Sequence, residues 1–168
     1  MLTERLAGLE HAGVLGRRKL PPPASTQVYE LTKWGYLAEP AIQELGRWAA
    51  RSPGHNPQLP LSPVSFMLSL RTMIDHDAAR AFDATVGVTV VGESFVAELA
   101  GGRMPVRRAE PGPADLWLAA DEPLPLLRVF YGKRPLDEAL ADGSVVLAGD
   151  KALAERFVAL FALPEKVA

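Results

Sequence analysis

The residues of this sequence best suited to bind a polyanion are three consecutive cations, Arg17, Arg18 and Lys19. They stand just before Pro21-Pro22-Pro23, a run that forbids helix and leaves the cations in an extended segment. Arginine and lysine donate hydrogen bonds to phosphate oxygens, so we favour contact with a nucleic-acid backbone. The alternative is a solvated strand edge, because charged edges also deter aggregation.

Polar residues on both sides of the cations extend the same candidate surface. Thr3 and Arg5 are the groove-facing candidates of a first helix, because arginine can read a guanine edge bidentately. The predicted hairpin tip adds Ser25, Thr26 and Gln27. Together with the three cations, these residues form the predicted DNA-binding set.

No pair of nucleophile and base stands out in the sequence, and we predict that the protein is not an enzyme. Carboxylates flank a histidine in Asp75-His76-Asp77, but neighbours on a helix point about 100° apart and do not converge on a metal. We therefore predict no metal and no cofactor. The chain contains no cysteine, which excludes disulfides and thiol-based redox sensing.

The apolar spacing around the cations predicts a helix followed by a hairpin. Leu2, Leu6 and Leu9 share one helical face, and Gly13 is suited to end that helix. The alternating Val28-Tyr29-Glu30-Leu31 predicts a returning strand. A helix, a basic strand, a polar tip and a second strand form the layout of a winged-helix unit.

A further helix is predicted from Thr32, a good N-cap, to about Ala50. Its apolar stripe comprises Trp34, Leu37, Ala41, Leu45 and Trp48. Pro40 removes one backbone hydrogen bond from this helix, so we expect a kink or a restart near Glu39.

About the first 50 residues resemble the HxlR-type winged-helix transcriptional regulators. The matching positions are Leu2, Leu6, Leu9, Gly13, Tyr29, Leu31, Thr32, Gly35, Pro40, Leu45 and Trp48. The resemblance implies that double-stranded DNA lies against the first helix and the wing. It also implies a homodimer built by the last helix through Leu37, Leu45 and Trp48. The alternative is that these side chains pack on the wing or on a second domain.

Members of that family begin with two or more helices ahead of the recognition helix, whereas this sequence starts inside it. Leu2, Leu6 and Leu9 would then lack the helices that they should face, although burying a leucine contributes about 1.5–3 kcal/mol. We therefore expect that the start site lies upstream or that the chain is a truncation. An intact-mass measurement of the native protein tests the upstream start, because a mass that matches 168 residues contradicts it.

Residues 52–63 hold four prolines and one glycine, which predicts a semi-extended linker between two domains, 1–51 and 64–168. Beyond the linker, the pattern predicts a helix, four strands, two helices, a fifth strand and a final helix. The predicted fold class is α+β, with a partial winged helix followed by a domain whose sheet is mainly antiparallel.

Residues 65–163 resemble a sterol-carrier-protein-type domain. The resemblance is carried by Gly132, Leu136, Ala139 and Gly143 and by a Val-x-Leu-x-Gly-Asp strand. It implies an apolar cavity between sheet and helices, for which the candidate lining residues are Trp117, Leu127, Phe130, Tyr131, Phe157 and Phe161. Plain core packing explains the same residues.

The charge is divided unevenly between the two predicted domains. Residues 1–51 carry seven Lys and Arg against five Asp and Glu, whereas residues 52–168 carry eleven against fifteen. This division fits one module that faces nucleic acid and one that does not, although chance explains so small a difference as well. With no long apolar run and no signal-peptide pattern, we predict a cytoplasmic protein without a membrane partner.

These patterns together predict a DNA-binding transcriptional regulator whose second domain binds a small apolar ligand or supports dimerisation. The rival prediction is a ligand-binding or dimerisation module that does not bind DNA. Mutation of the three cations to alanine distinguishes the two, because only the regulator depends on them.

Overall fold

A computed structural model describes residues 1–57, 59 and 61–167 of the chain. It divides into two compact units, Met1–Leu45 and Gly46–Ala168. Two residues of the predicted linker, Gln58 and Pro60, lie outside the described residues, as does Ala168. The domain limits drawn from the sequence, 1–51 and 64–168, stay predictions.

The first unit consists of a helix, a two-stranded hairpin and the start of a helical segment. Gly13 ends the first helix with a φ of +76°, a backbone conformation that favours glycine. The elements are α1 (Leu2–His11), β1 (Leu15–Lys19), β2 (Gln27–Leu31), α2 (Lys33–Tyr36) and α3 (Glu39–Ala50), the last of which ends in the second unit. The predicted order of helix, hairpin and helix is confirmed.

Thr32, between β2 and α2, connects the end of α1 to the start of α2 through hydrogen bonds. The Thr32 hydroxyl donates to the Gly13 carbonyl oxygen at 2.7 Å and accepts from the Gly35 amide at 3.0 Å, so Thr32 is the N-cap of α2. A Cβ atom at Gly35 would overlap the Val14 carbonyl oxygen. Only glycine at this position therefore allows α2 to lie this close to Val14, the residue before β1.

The predicted helix restart is also confirmed. Helix α2 ends at Tyr36 and α3 begins at Glu39, which places Pro40 in the first turn of α3. Proline is tolerated there because the first amides of a helix have no intrahelical partner.

The second unit is a five-stranded sheet packed with helices, which confirms the predicted α+β class. Its helices are α4 (Pro63–Met73), α5 (Pro123–Phe130), α6 (Leu136–Ala141) and α7 (Lys151–Val158), with a short 3-10 helix at Ala78–Ala81. Its strands are β3 (Ala84–Val90), β4 (Glu93–Leu99), β5 (Val106–Arg108), β6 (Leu116–Ala120) and β7 (Val146–Gly149). Strand order is β5-β4-β3-β6-β7.

This sheet is mainly antiparallel, as predicted. Strands β3 and β6 run parallel, whereas β3–β4, β4–β5 and β6–β7 are antiparallel. The antiparallel neighbours β3 and β4 are joined by a tight turn through Val91 and Gly92, both at positive φ. The parallel pair is separated in the chain by β4 and β5, because a parallel neighbour needs a long connection.

The core of the second unit lies between one sheet face and the helices. The largest fully buried side chains are Phe66, Phe157, Leu70, Leu116, Leu118, Leu126, Val86, Val88, Val90 and Val145. Burying each such side chain contributes about 1.5–3 kcal/mol. The first unit is different, since α1 has no buried residue.

Candidate nucleic-acid interface and apolar cluster

The basic run lies on β1, where the hairpin register sets which side chains share a face. Arg17 is directly opposite Tyr29, and Arg18 is opposite Val28. Side chains alternate along a strand, so Arg17 and Lys19 point to one face of the hairpin and Arg18 points to the other. All three cations are exposed.

Two of the three cations are paired with carboxylates of the same unit. Arg17 Nε donates to Glu10 Oε2 at 2.9 Å, and its guanidinium lies over the Tyr29 ring at 5.4 Å from the centroid. Arg18 Nε lies 2.8 Å from Glu30 Oε2.

Sequence reasoning missed both glutamates. The hairpin register was the signal that could have found Glu30, because Glu30 faces Gly16 and so lies diagonal to Arg18 on one face. Glu10 could not be found in this way, because it reaches Arg17 from α1 across the turn at Gly13.

The other predicted DNA-binding residues are exposed as well. Thr3 and Arg5 lie on α1, while Ser25, Thr26 and Gln27 lie at the tip and at the start of β2. The Thr26 hydroxyl donates to the Ala24 carbonyl oxygen at 2.7 Å and so helps to shape the tip. The first unit thus presents hydroxyl, amide and guanidinium groups to solvent.

The predicted dimer residues lie on the helices that follow the hairpin. The exposed fractions are 74% for Leu37, 61% for Leu45 and 71% for Trp48. Leu37 and Trp34 also line a small apolar groove of the first unit, together with Val14, Gly35 and Ala38. The structure contains one chain, and contact with a second copy stays a prediction.

Four of the six predicted ligand-binding residues form a buried cluster in the second unit. Leu127, Phe130, Phe157 and Phe161 are all buried there. The Phe130 ring lies 5.7 Å from Phe157 and 5.2 Å from Phe161 between centroids, in edge-to-face contacts. Such contacts belong to a packed apolar core.

Tyr131 lies at the end of α5, beside this cluster. Its hydroxyl is 2.9 Å from the Ser69 hydroxyl. Burial raises the pKa of the Tyr131 phenol far above its ordinary value, against a smaller opposing effect of the Ser69 hydrogen bond. The phenol is therefore neutral, and it is a polar group at the rim of an otherwise apolar cluster.

The structure does not bring Trp117 to the other five candidates. On β6, Leu116 and Leu118 are buried in the core, so Trp117 between them points to the opposite sheet face. There its ring covers Gly87 of the neighbouring strand, and its Nε1 donates to the Gly112 carbonyl oxygen at 2.9 Å. Trp117 therefore covers the outer face of the sheet.

The histidine considered as a metal ligand makes a backbone contact. His76 Nδ1 lies 2.8 Å from the Gly102 carbonyl oxygen, at the turn after β4. Among the residues that the structure describes, no three His, Asp or Glu side chains lie close enough to hold a metal ion. Within the same ranges, no helix is both long and apolar enough to cross a bilayer.

The first unit has a helix, a basic antiparallel hairpin and a following helix, which is the arrangement expected of part of a winged helix. Residues 1–56 match the model of the HxlR-like helix-turn-helix family. This match confirms, for that part of the chain, the family named from the sequence. A search of curated proteins finds no match.

Part of the fold of this chain recurs in solved structures. The inverting sec-alkylsulfatase Pisa1 from Pseudomonas sp. matches with 24% identity and a TM-score of 0.56, over 64% of this chain and 17% of the enzyme. This chain therefore spans about a sixth of that enzyme's length, and the likeness concerns the fold alone.

Sterol carrier domains are also among the similar structures. The ubiquinone synthesis protein UbiJ-SCP2 matches with 20% identity and a TM-score of 0.44, over 77% of this chain and 92% of that protein. Palmitated SCP2L2 from Aedes aegypti matches with 17% identity and a TM-score of 0.45, over 59% and 93%.

Proposed function

We propose that the protein is a DNA-binding transcriptional regulator. The observation that carries the proposal is the exposed cationic strand β1, which lies within residues 1–56, the part of the chain that matches the HxlR-like helix-turn-helix model. Arginine and lysine on a wing contact phosphate, and such contacts supply most of the sequence-independent affinity for DNA.

In this proposal α1 enters the major groove and the hairpin lies along the backbone. Arg5 and Thr3 on α1 face base edges, where arginine pairs with guanine. The three cations and the tip residues Ser25, Thr26 and Gln27 contact phosphates and fix the orientation of the unit. Two copies, joined through Leu37, Leu45 and Trp48, would read two half-sites.

The second unit is proposed to bind a small apolar ligand or to support dimerisation. The sterol-carrier resemblance of its sequence and the apolar cluster around Phe130 support this role. Because the rings of Phe130, Phe157 and Phe161 are in contact, a ligand would have to displace at least one of them. Ligand binding would then act on DNA affinity by favouring one arrangement of the two units.

The test is replacement of Arg17, Arg18 and Lys19 by alanine in the full chain. Binding to duplex DNA from upstream of its own gene is measured by fluorescence anisotropy over a range of salt. The regulator predicts weaker binding and a log–log salt slope that falls by about 0.9 for each phosphate that the variant no longer neutralises. The matched control replaces Arg103, Arg107 and Arg108 of the second unit, which removes the same charge and should leave the slope unchanged.

The alternative is a ligand-binding or dimerisation module that does not bind DNA. The pairing of Arg17 with Glu10 and of Arg18 with Glu30 favours it, because both cations already have an anionic partner. If the unmodified chain does not bind duplex DNA even at about 50 mM salt, where phosphate contacts are strongest, the regulator proposal is wrong and this alternative holds.

A further inference from the structure

We propose that Glu10 and Glu30 restrain binding to DNA of arbitrary sequence by competing with phosphate for Arg17 and Arg18. This inference rests on the proposed function and names two residues that limit the protein's affinity for non-specific DNA. Two ion pairs support this inference. Arg17 Nε lies 2.9 Å from Glu10 Oε2, and Arg18 Nε lies 2.8 Å from Glu30 Oε2.

The two pairs change the charge that DNA meets at a distance. Each carboxylate cancels the charge of the arginine beside it, so Lys19 is the cation of the run that has no partner among the described residues. Exposed charges are screened beyond about 8–10 Å at physiological salt. A phosphate approaching from that distance therefore meets roughly one net positive charge, although the sequence contains three cations in a row.

The two carboxylates also oppose the close approach of a phosphate. A phosphate that bonds Arg17 or Arg18 comes within a few ångströms of a carboxylate and is repelled by it, unless the carboxylate moves away. Non-specific DNA binding depends almost wholly on such phosphate contacts, whereas binding to an operator also gains from base contacts. The carboxylates therefore weaken non-specific binding, which has no base contacts to offset the loss.

The two ion pairs connect different elements of the first unit. Glu30 and Arg18 both belong to the hairpin, whereas Glu10 links the last turn of α1 to β1. Arg17 is also held by the ring of Tyr29, so its guanidinium keeps its place when the charge of Glu10 is removed. Glutamine keeps the length of glutamate and its acceptor oxygen, and the replacement therefore changes mainly the charge.

The experiment compares the full chain with Glu10→Gln, Glu30→Gln and the double variant, using a short duplex of scrambled sequence. The expected result is an affinity for this duplex that rises several-fold in each single variant and further in the double variant. The salt slope should become steeper by about 0.9 per arginine released. Glu10→Asp, which keeps the charge, should restore the behaviour of the unmodified chain.

The matched control is Glu98→Gln in the second unit. Glu98 lies 3.6 Å from Arg107, so this replacement also removes one carboxylate beside one arginine and changes the net charge equally. An equal gain in this control would show an effect of net charge and overturn the inference, as would unchanged slopes in Glu10→Gln and Glu30→Gln.

The outcomes separate the two proposals. Binding of the unmodified chain with unchanged slopes in the variants overturns this inference and leaves the regulator in place. Failure of both the unmodified chain and the double variant to bind any duplex overturns both. Binding of the scrambled duplex by the double variant alone, while the unmodified chain binds only the DNA from upstream of its own gene, supports the inference and shows that the carboxylates block non-specific phosphate contacts.

Discussion

A single missing Cβ atom allows two strands of the second unit to pair as they do. Gly87 on β3 is the parallel partner of Trp117 on β6, and a Cβ at Gly87 would overlap the indole ring. The alternation on β6 predicts that Trp117 faces away from Leu116 and Leu118. The sequence could not say which face is the core, because all three side chains are apolar.

Replacing Gly87 by alanine should therefore displace the Trp117 ring. We expect the free energy of unfolding to fall by about 1–3 kcal/mol, the usual cost of overpacking. Urea denaturation, monitored by circular dichroism, measures this free energy. Gly8→Ala on α1 is the control: nothing lies within 4 Å of its Cβ, and alanine favours helix by up to about 1 kcal/mol. A Gly87→Ala variant as stable as the unmodified chain would contradict the close packing of Trp117.

At the scale of elements, local signals predicted helix starts well. Thr32 was expected to cap a helix, and its side chain accepts a hydrogen bond from an amide of the first turn of α2. The Asp150 side chain accepts in the same way from two amides at the start of α7. Pro40 predicted where α3 begins. These signals act over a few residues, so neighbouring residue types suffice to predict them.

The C-terminal end of α3 depends instead on a residue far along the chain. Lys166 Nζ donates to the carbonyl oxygens of Ala50 at 3.1 Å, Ser52 at 3.0 Å and His55 at 3.1 Å. Beside this ammonium group, the His55 side chain is partly buried. Nothing local to residues 50–55 indicates this contact, so the sequence could not predict it.

Removal of this ammonium group should loosen the end of α3. Lys166→Met removes hydrogen bonds from a charged donor and a cation at a helix C-terminus, and we expect a decrease of about 1–3 kcal/mol in unfolding free energy. The thermal midpoint, measured by calorimetry, should fall by several degrees. Lys166→Arg keeps the charge and should recover part of the decrease. An unchanged midpoint in Lys166→Met would show that the ammonium group contributes nothing.

The same contact gives the unfolding free energy a dependence on pH. Burial, and then the nearby Lys166 charge, lower the pKa of His55 below its ordinary 6.5. The folded state therefore binds a proton at His55 less readily than the unfolded state. The His55 contribution is fully present above pH 6.5 and is lost as the pH falls from there toward the folded pKa. The free energy of unfolding of His55→Gln and of the unmodified chain, compared across this pH range, measures the His55 contribution. Identical pH profiles would contradict this contribution.

For the whole molecule, the features of greatest interest are large apolar side chains that stay exposed. Leu45 and Trp48 lie three residues apart on α3 and thus on neighbouring parts of one face. Burial of both in each of two copies would contribute roughly 6–12 kcal/mol, a gross value built from about 1.5–3 per side chain. Association costs an estimated 4–15 kcal/mol or more. This cost is similar in size to the gain from burial, so burial of these side chains decides whether a dimer forms.

We therefore expect that the unmodified chain is dimeric at micromolar concentration and that Leu45→Glu with Trp48→Glu is monomeric. Charged side chains at the centre of a twofold interface face their own copies and repel. Sedimentation equilibrium measures the mass of each form. The control is Val146→Glu, since Val146 is 60% exposed on the second unit and so resembles Leu45 in exposure. A monomeric unmodified chain, or dissociation by Val146→Glu as well, would contradict an interface on α3.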